Sequence, residues 1–262
     1  MQHDAPDDGP VGERMSDLTR RILAPNAGPM TLDGTNSYLI SGAVGRVVVV
    51  DPGPLDEQHL GALAAAGHIE LVLLTHRHAD HSESRFRFAE LTGAPVRAFD
   101  PGLCIDAGAL TDGDEIAAAG TRIRVIHTPG HTSDSVCFFL PQDGDHGAML
   151  TGDTILGRGT TIIDDPDGTL GDYLASLSAL RGFGHATVLP AHGAPLPDLE
   201  AACDAYRAHR EQRLDQIRAA LTELGRDAPV DSVTDLVYAD ADAAVRFAAE
   251  ASVRAQLAYL RA

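Results

Sequence analysis

The chain has 262 residues, 44% of them hydrophobic, enough for one large buried core and a small appendage. Its formal net charge is −18, and it holds no lysine, all 20 basic residues being arginine. So acidic a chain repels nucleic acid overall, although a local basic groove is compatible with it, and no apolar run of about 18 residues offers a transmembrane helix.

Residues 1–13 open with Met1-Gln2-His3-Asp4-Ala5-Pro6-Asp7-Asp8. Acids stand where a signal peptide needs basic and then apolar residues, so the segment reads as a disordered acidic tail on a cytoplasmic protein. Short apolar runs bounded by Gly and Pro predict strands at Ser37–Ile40, Val47–Val50, Leu71–Leu74, Val96–Phe99, Arg122–Ile126, Ser135–Phe139 and Ala148–Leu150. A further short run covers Thr187 to Leu189. Helices are expected over Glu57–Ala66, Glu83–Thr92 and Leu170–Leu180. From Leu199 the strand signals stop. Leu199–Leu224 carries Ala202, Tyr206, Leu214, Ile217 and Leu221 at helical spacing and ends at Gly225. Two more helices follow, Val230–Val237, with Asp231 or Ser232 as N-cap, and Ala243–Tyr259. The pattern divides the chain into a catalytic unit, 14–198, and a helical unit, 199–262, which either caps the first or recognises substrate. Cys104, Cys137 and Cys203 lack paired spacing and are expected reduced, with Cys137 in the core.

Chemistry concentrates where strands end. Thr75-His76-Arg77-His78-Ala79-Asp80-His81 follows Leu71–Leu74 and puts four potential metal ligands in six residues. In an extended turn His76 and His78 face one side while Asp80 and His81 lie a step further on, which suits two adjacent ions. The pattern recurs at His131 in Thr128-Pro129-Gly130-His131, at Asp153 in Thr151-Gly152-Asp153 and at His192 in Pro190-Ala191-His192-Gly193. Glycine at such corners lets the backbone turn tightly beside a ligand. Nitrogen and carboxylate donors without cysteine suit Zn²⁺, and also Mn²⁺ or Fe²⁺. Around them, Asn36 reads as a turn residue or a substrate orienter. Arg158, Thr160 and Thr161 read as an anion-binding loop or a flexible one, and Ser133 as a substrate hydrogen-bonder or, more commonly, a structural cap. His127 and His209 read as satisfied structural histidines.

With these residues in place, the chain resembles the metallo-β-lactamase superfamily, whose signature is His-x-His-x-Asp-His followed by a distant His, Asp and His. The resemblance implies an α+β fold, a four-layer αββα sandwich, here with a small C-terminal helical domain. It implies that His76, His78 and His131 hold a first metal, that Asp80, His81 and His192 hold a second, and that Asp153 bridges them. Asp51, at the end of Val47–Val50, would orient a ligand histidine. Two Zn²⁺ ions roughly 3.5–4 Å apart would share a hydroxide nucleophile, with Asp80, His81 and Asp153 at the catalytic centre. Gly152–Thr161, Asp172–Leu177 and His209–Arg213 look like the β-lactamase-like protein 2 group. That group ends in a winged-helix-like domain and includes a single-strand endoribonuclease, whereas this chain stops before a β wing. Single-stranded RNA is thus one expected substrate. A small ester, thioester or lactam, handled as by a glyoxalase-II-like thioesterase, is another. A metal-stabilised binding protein without turnover is the reading from a different class. No membrane partner is expected.

Overall fold

The apolar run Val47–Val50 is buried on both faces, and that dictates the layering. Val48 and Val50 enter one core with Tyr38, Ile40, Leu71 and Leu73. Val47 and Val49 enter another with Leu39, Leu60, Leu63, Val72 and Phe88. Side chains alternate across a strand, so an all-apolar strand needs a packed layer on each side. The computed structural model describes residues 11–239 and 246–262. Most of the expected acidic tail, and the start of the helix expected at Ala243–Tyr259, lie outside the described residues.

The first sheet runs in chain order through β1 (Glu13–Arg14), β2 (Thr19–Leu23), β3 (Asn36–Ala43), β4 (Arg46–Val50), β5 (His68–Leu73) and β6 (Val96–Arg97). The first four strands are antiparallel neighbours, and β4, β5 and β6 run parallel. The second sheet comprises β7 (Glu115–Ala118), β8 (Thr121–His127), β9 (Val136–Leu140), β10 (Ala148–Gly152) and β11 (Thr187–Pro190), in the order β11-β10-β9-β8-β7. Only its β10–β11 pair is parallel. The inner faces of the two sheets share one core, in which Ile123, Val125, Val136, Phe138 and Leu150 meet Ile40, Val48 and Leu73.

Helices α1 (Glu57–Ala64), α2 (Ala79–Ser82) and α3 (Arg85–Thr92) precede α4 (Leu170–Arg181), α5 (Leu199–Leu224), α6 (Val230–Val237) and α7 (Arg246–Arg261). Leu60 and Leu63 of α1 and Phe88 of α3 cover the outside of the first sheet. Leu170, Tyr173 and Leu177 of α4, with Leu199, Ala202, Cys203, Tyr206 and Leu214 of α5, cover the second. The result is the α+β, four-layer αββα sandwich. Beyond it, Ile217 and Ala220 of α5 pack with Val233 of α6 and with Val253 and Leu257 of α7 in a smaller cluster. Among the described residues, no helix is long and apolar enough to cross a membrane.

Several local expectations need correction. Strands β1, β2 and β7 carry no long apolar run, because they lie at or near sheet edges and expose part of their side chains. The expected Glu83–Thr92 helix is interrupted: the amide and Oγ of Ser84 both bond the Gly53 carbonyl, at 3.3 and 2.8 Å, so α3 starts only at Arg85. The N-cap of α6 is Pro229, with Asp231 in the first turn and no side-chain cap bond, rather than Asp231 or Ser232. All three cysteines are free, with Cys137 and Cys203 buried.

Candidate metal centre

The ends of β4, β5, β10 and β11, with the β8–β9 loop, open on one rim of the sandwich and carry the clustered side chains. Strand β5 ends at Leu73, after which Thr75 to His78 run out to α2, which holds Asp80 and His81. Two glycines make the corners possible. At Gly130 (φ +139°) an added Cβ would lie 2.4 Å from the Tyr173 Cα, and at Gly152 (φ +50°) it would lie 2.8 Å from the Thr75 Cβ. Neither backbone conformation nor space admits a side chain there.

His76, His78, His131 and Asp153 each offer one donor atom, all within 4.8 Å of one another, and Asp80, His81 and His192 form a second such group. Asp153 faces both. Its Oδ2 is 3.6 Å from His131 Nε2, while its Oδ1 is 3.3 Å from His192 Nε2 and 3.6 Å from His81 Nε2. Asp80 Oδ2 lies 3.2 Å from His192 Nε2 and 3.3 Å from His81 Nε2.

Every imidazole has its other nitrogen occupied, which sets the tautomer. Thr75 Oγ1 spends its proton on Asp51 Oδ2 at 2.7 Å, so His76 Nδ1–H donates to Thr75 Oγ1 at 3.0 Å and Nε2 faces the cluster. His81 Nδ1–H donates to Asp51 Oδ2 at 2.8 Å. His131 Nδ1–H donates to the Ile162 carbonyl at 2.6 Å, and His192 Nδ1–H to that of Gly34 at 3.2 Å. His78 is turned the other way, with Nε2 3.3 Å from Asp164 Oδ2 and Nδ1 3.0 Å from His131 Nε2. Partners of this kind orient imidazoles and make them better ligands. Asp51 sits where the resemblance implies, behind His81, with a left-handed backbone (φ +53°) that its bonds to Thr75 N and Oγ1 hold in place.

The electrostatics split the cluster in two. Burial pushes His76 well below its ordinary pKa, helped by the neighbouring His81, His131 and His78. Burial lowers His131 as well. For His81 burial acts downward too, but Asp80, Asp153 and Asp51 outweigh it and hold the ring well above its ordinary value. Burial also opposes the rise at His192, which Asp153 and Asp80 cause. Asp80 is held far below the usual carboxylate range, since His81 and His192 overcome its burial. His81 Nε2, His192 Nε2 and Asp153 Oδ1 are buried yet make no hydrogen bond of acceptable geometry among the described residues. Buried polar atoms left unpaired are costly. Orphaned nitrogen and carboxylate donors converging on one point fit a divalent cation, as the donor chemistry already indicates.

The remaining sequence candidates have varied fates. Asn36 is neither turn cap nor exposed substrate contact. Buried at the start of β3, its Nδ2 donates to the carbonyls of Pro190 and Gly193 at 2.8 and 2.9 Å, bracing the turn that carries His192. Arg158 is exposed and pairs with Asp33 at 3.1 Å across the surface. Thr161 is buried, with Oγ1 3.2 Å from His131 Nδ1. Thr160 lines a cavity of about 220 Å³ beside His131 and Asp153, otherwise walled largely by Pro29, Met30, Leu32, Leu156, Ile162 and Ala248. Ser133 donates through N and Oγ to Asp167, a structural role. His127 Nε2 is satisfied by the Ser133 carbonyl, but His209 Nδ1 is buried without a partner among the described residues, against expectation. His59, on α1, is buried against Ser37 Oγ at 2.9 Å. Asp164 carries no local signature in the sequence, since Asp164-Asp165-Pro166-Asp167 reads only as an acidic turn.

Residues 30–192 match the family profile described as Metallo-beta-lactamase superfamily. The chain is 34% identical over 255 residues to the Beta-lactamase-like protein 2 homolog of Caenorhabditis elegans, covering 92% of this chain and 83% of that protein. It is 33% identical over 229 residues to the Atrochrysone carboxyl ACP thioesterase of Aspergillus fumigatus, covering 84% of this chain and 70% of that one. The crystal structure of a beta-lactamase domain protein from Burkholderia ambifaria superposes with a TM-score of 0.78 at 19% identity, covering 98% of this chain and 90% of that one, and so shares the fold.

Proposed function

The chain belongs to the metallo-β-lactamase superfamily and is a hydrolase of that superfamily, and from this we propose a two-cation enzyme, zinc-loaded, that cleaves an acyl thioester or related ester. One observation carries the two-cation reading: Asp153 turns one carboxylate oxygen to His131 and the other to His81 and His192. His76, His78, His131 and Asp153 would hold one ion, and Asp80, His81, His192 and Asp153 the other. When bound, such ions polarise the scissile group and bring the pKa of a coordinated water down to about 7. The protein's own part is orientation. Asp51, Thr75, Asp164 and the carbonyls of Ile162 and Gly34 fix the imidazoles before any substrate arrives.

The substrate reading rests on the cavity beside Asp153. Its walls are mainly apolar, and its arginine is already paired with Asp33. An acyl group suits those walls better than a phosphodiester, whose recognition draws on several cationic contacts where this lining offers one arginine. The thioesterase name of the Aspergillus fumigatus relative points the same way. Elemental mass spectrometry combined with turnover of an acyl thioester, a lactam and a single-stranded RNA tests the proposal. Expected are about two zinc ions per chain and thioester cleavage that a chelator abolishes. RNA cleavage with the thioester left intact would replace the substrate reading. Iron or manganese in the protein would replace zinc alone, and metal without turnover of any of the three would favour a binding protein.

A further inference from the structure

His78 differs from the other four imidazoles in how it is held. Its side chain is 32% exposed, whereas those of His81, His131 and His192 are at most 6% exposed and His76 is buried. His76 and His131 pack edge-on against one side of the His78 ring, at 4.7 and 4.8 Å between centroids, and its open side leaves its orientation more dependent than theirs on what its outer nitrogen meets. That partner is Asp164, at 3.3 Å from Nε2. Asp164 is in turn gripped by Arg77, whose Nη2 donates to Asp164 Oδ2 at 2.5 Å and whose Nη1 donates to Asp167. Asp167 accepts the amide and hydroxyl of Ser133 at 2.7 and 2.8 Å. The same segment reaches His131 twice, since Asp164 N donates to the His131 carbonyl at 2.9 Å and the Ile162 carbonyl accepts from the ring.

We propose that Asp164, clamped by Arg77, is a positioning residue that fixes His78 and so sets the affinity of the first cation site alone. The inference rests on the two-cation reading. It is selective because Ile162 to Asp167 touches His78 and His131 but makes no hydrogen bond to Asp80, His81 or His192. Arginine matters in this arrangement because its planar fork can hold two carboxylates at once, which lysine cannot match in geometry. Loss of such an outer partner typically weakens metal affinity about 10–100-fold.

Stepwise Zn²⁺ affinities of the full chain, measured by chelator competition, test this in Asp164→Ala, Asp164→Asn and Arg77→Met, alongside the melting temperature of each metal-free protein. In Asp164→Ala one of the two affinities should fall about 10–100-fold, with the other and the metal-free melting temperature unchanged. Asp164→Asn, which keeps an acceptor without the charge, should recover part of the loss, and Arg77→Met should reproduce part of it. Both affinities unchanged in Asp164→Ala, or both falling together with the melting temperature, would overturn the proposal. Failure of the wild-type chain to bind two Zn²⁺ ions would instead overturn the two-cation reading beneath it.

Discussion

At the scale of single residues, the site is a set of nitrogen and oxygen atoms whose directions are settled in advance. Asp80 contributes one oxygen to His81 and His192 and stands in only one of the two donor groups. Asp80→Ala should therefore lower zinc content from about two to about one and reduce hydrolysis at least ~10²-fold, as elemental analysis and turnover would show. Full activity with one ion bound would reject the two-cation mechanism. His59 allows a pH test away from the donors. Burial lowers its pKa in the folded chain, so below its ordinary value of about 6.5 the unfolded chain takes up the extra proton. Stability should thus be unaffected by His59 above about pH 6.5 and should fall as pH drops towards the lowered folded value. Melting curves from pH 8 to pH 5 should be less steeply pH-dependent for His59→Gln than for the wild type, and identical slopes would contradict this.

At the scale of elements, the loop from Asp153 to Ile162 is held from outside by helices. Tyr173 of α4 donates to the Thr154 carbonyl at 2.7 Å. Tyr206 of α5 accepts from Leu156 N at 2.9 Å and donates to Leu156 O at 3.0 Å, and Arg210 Nη2 donates to the Thr161 carbonyl at 2.5 Å. Tyr206→Phe leaves two buried backbone groups unpaired and should destabilise the protein by about 1–3 kcal/mol, readable by denaturant unfolding, with turnover lowered as the loop loosens. The donors on this scaffold were largely legible in the sequence, because a ligand after an apolar run and beside glycine has a local signature. Helices Leu199–Leu224 and Val230–Val237 were legible to the residue, since apolar spacing and Gly225 mark them. What supports the donors was not. Asn36, Asp164 and Tyr206 act on residues 154, 86 and 50 positions away, and a pairing that long leaves no trace in local composition. Strand β2 stayed hidden for a related reason, as its Arg20 and Arg21 are only half-buried and break the apolar pattern.

At the scale of the whole molecule, α5 and the end of α7 are part of the main packing rather than a detachable addition. Leu199, Ala202, Cys203, Tyr206, Leu214 and Ala255 share one core with Met149, Tyr173, Leu177 and Val188. Removing residues 199–262 should therefore prevent accumulation of soluble folded protein, and a well-dispersed amide spectrum from residues 1–198 would disprove this. The donors themselves come from both sheets, His76, His78, Asp80 and His81 from the first and His131, Asp153 and His192 from the second. The Asn36 amide, bonded to the Ala191 carbonyl at 2.7 Å, and its side chain stitch the two sheets together at the same rim. Cations bound there would act as rivets across the seam of the sandwich, adding to stability in proportion to how far their concentration exceeds their dissociation constants. Parting the seam would then also mean releasing the ions. Stripping the metal should accordingly lower the melting temperature while leaving the apolar cores to hold the fold, so that the stability of the protein in a chelating environment becomes a property of its metal centre.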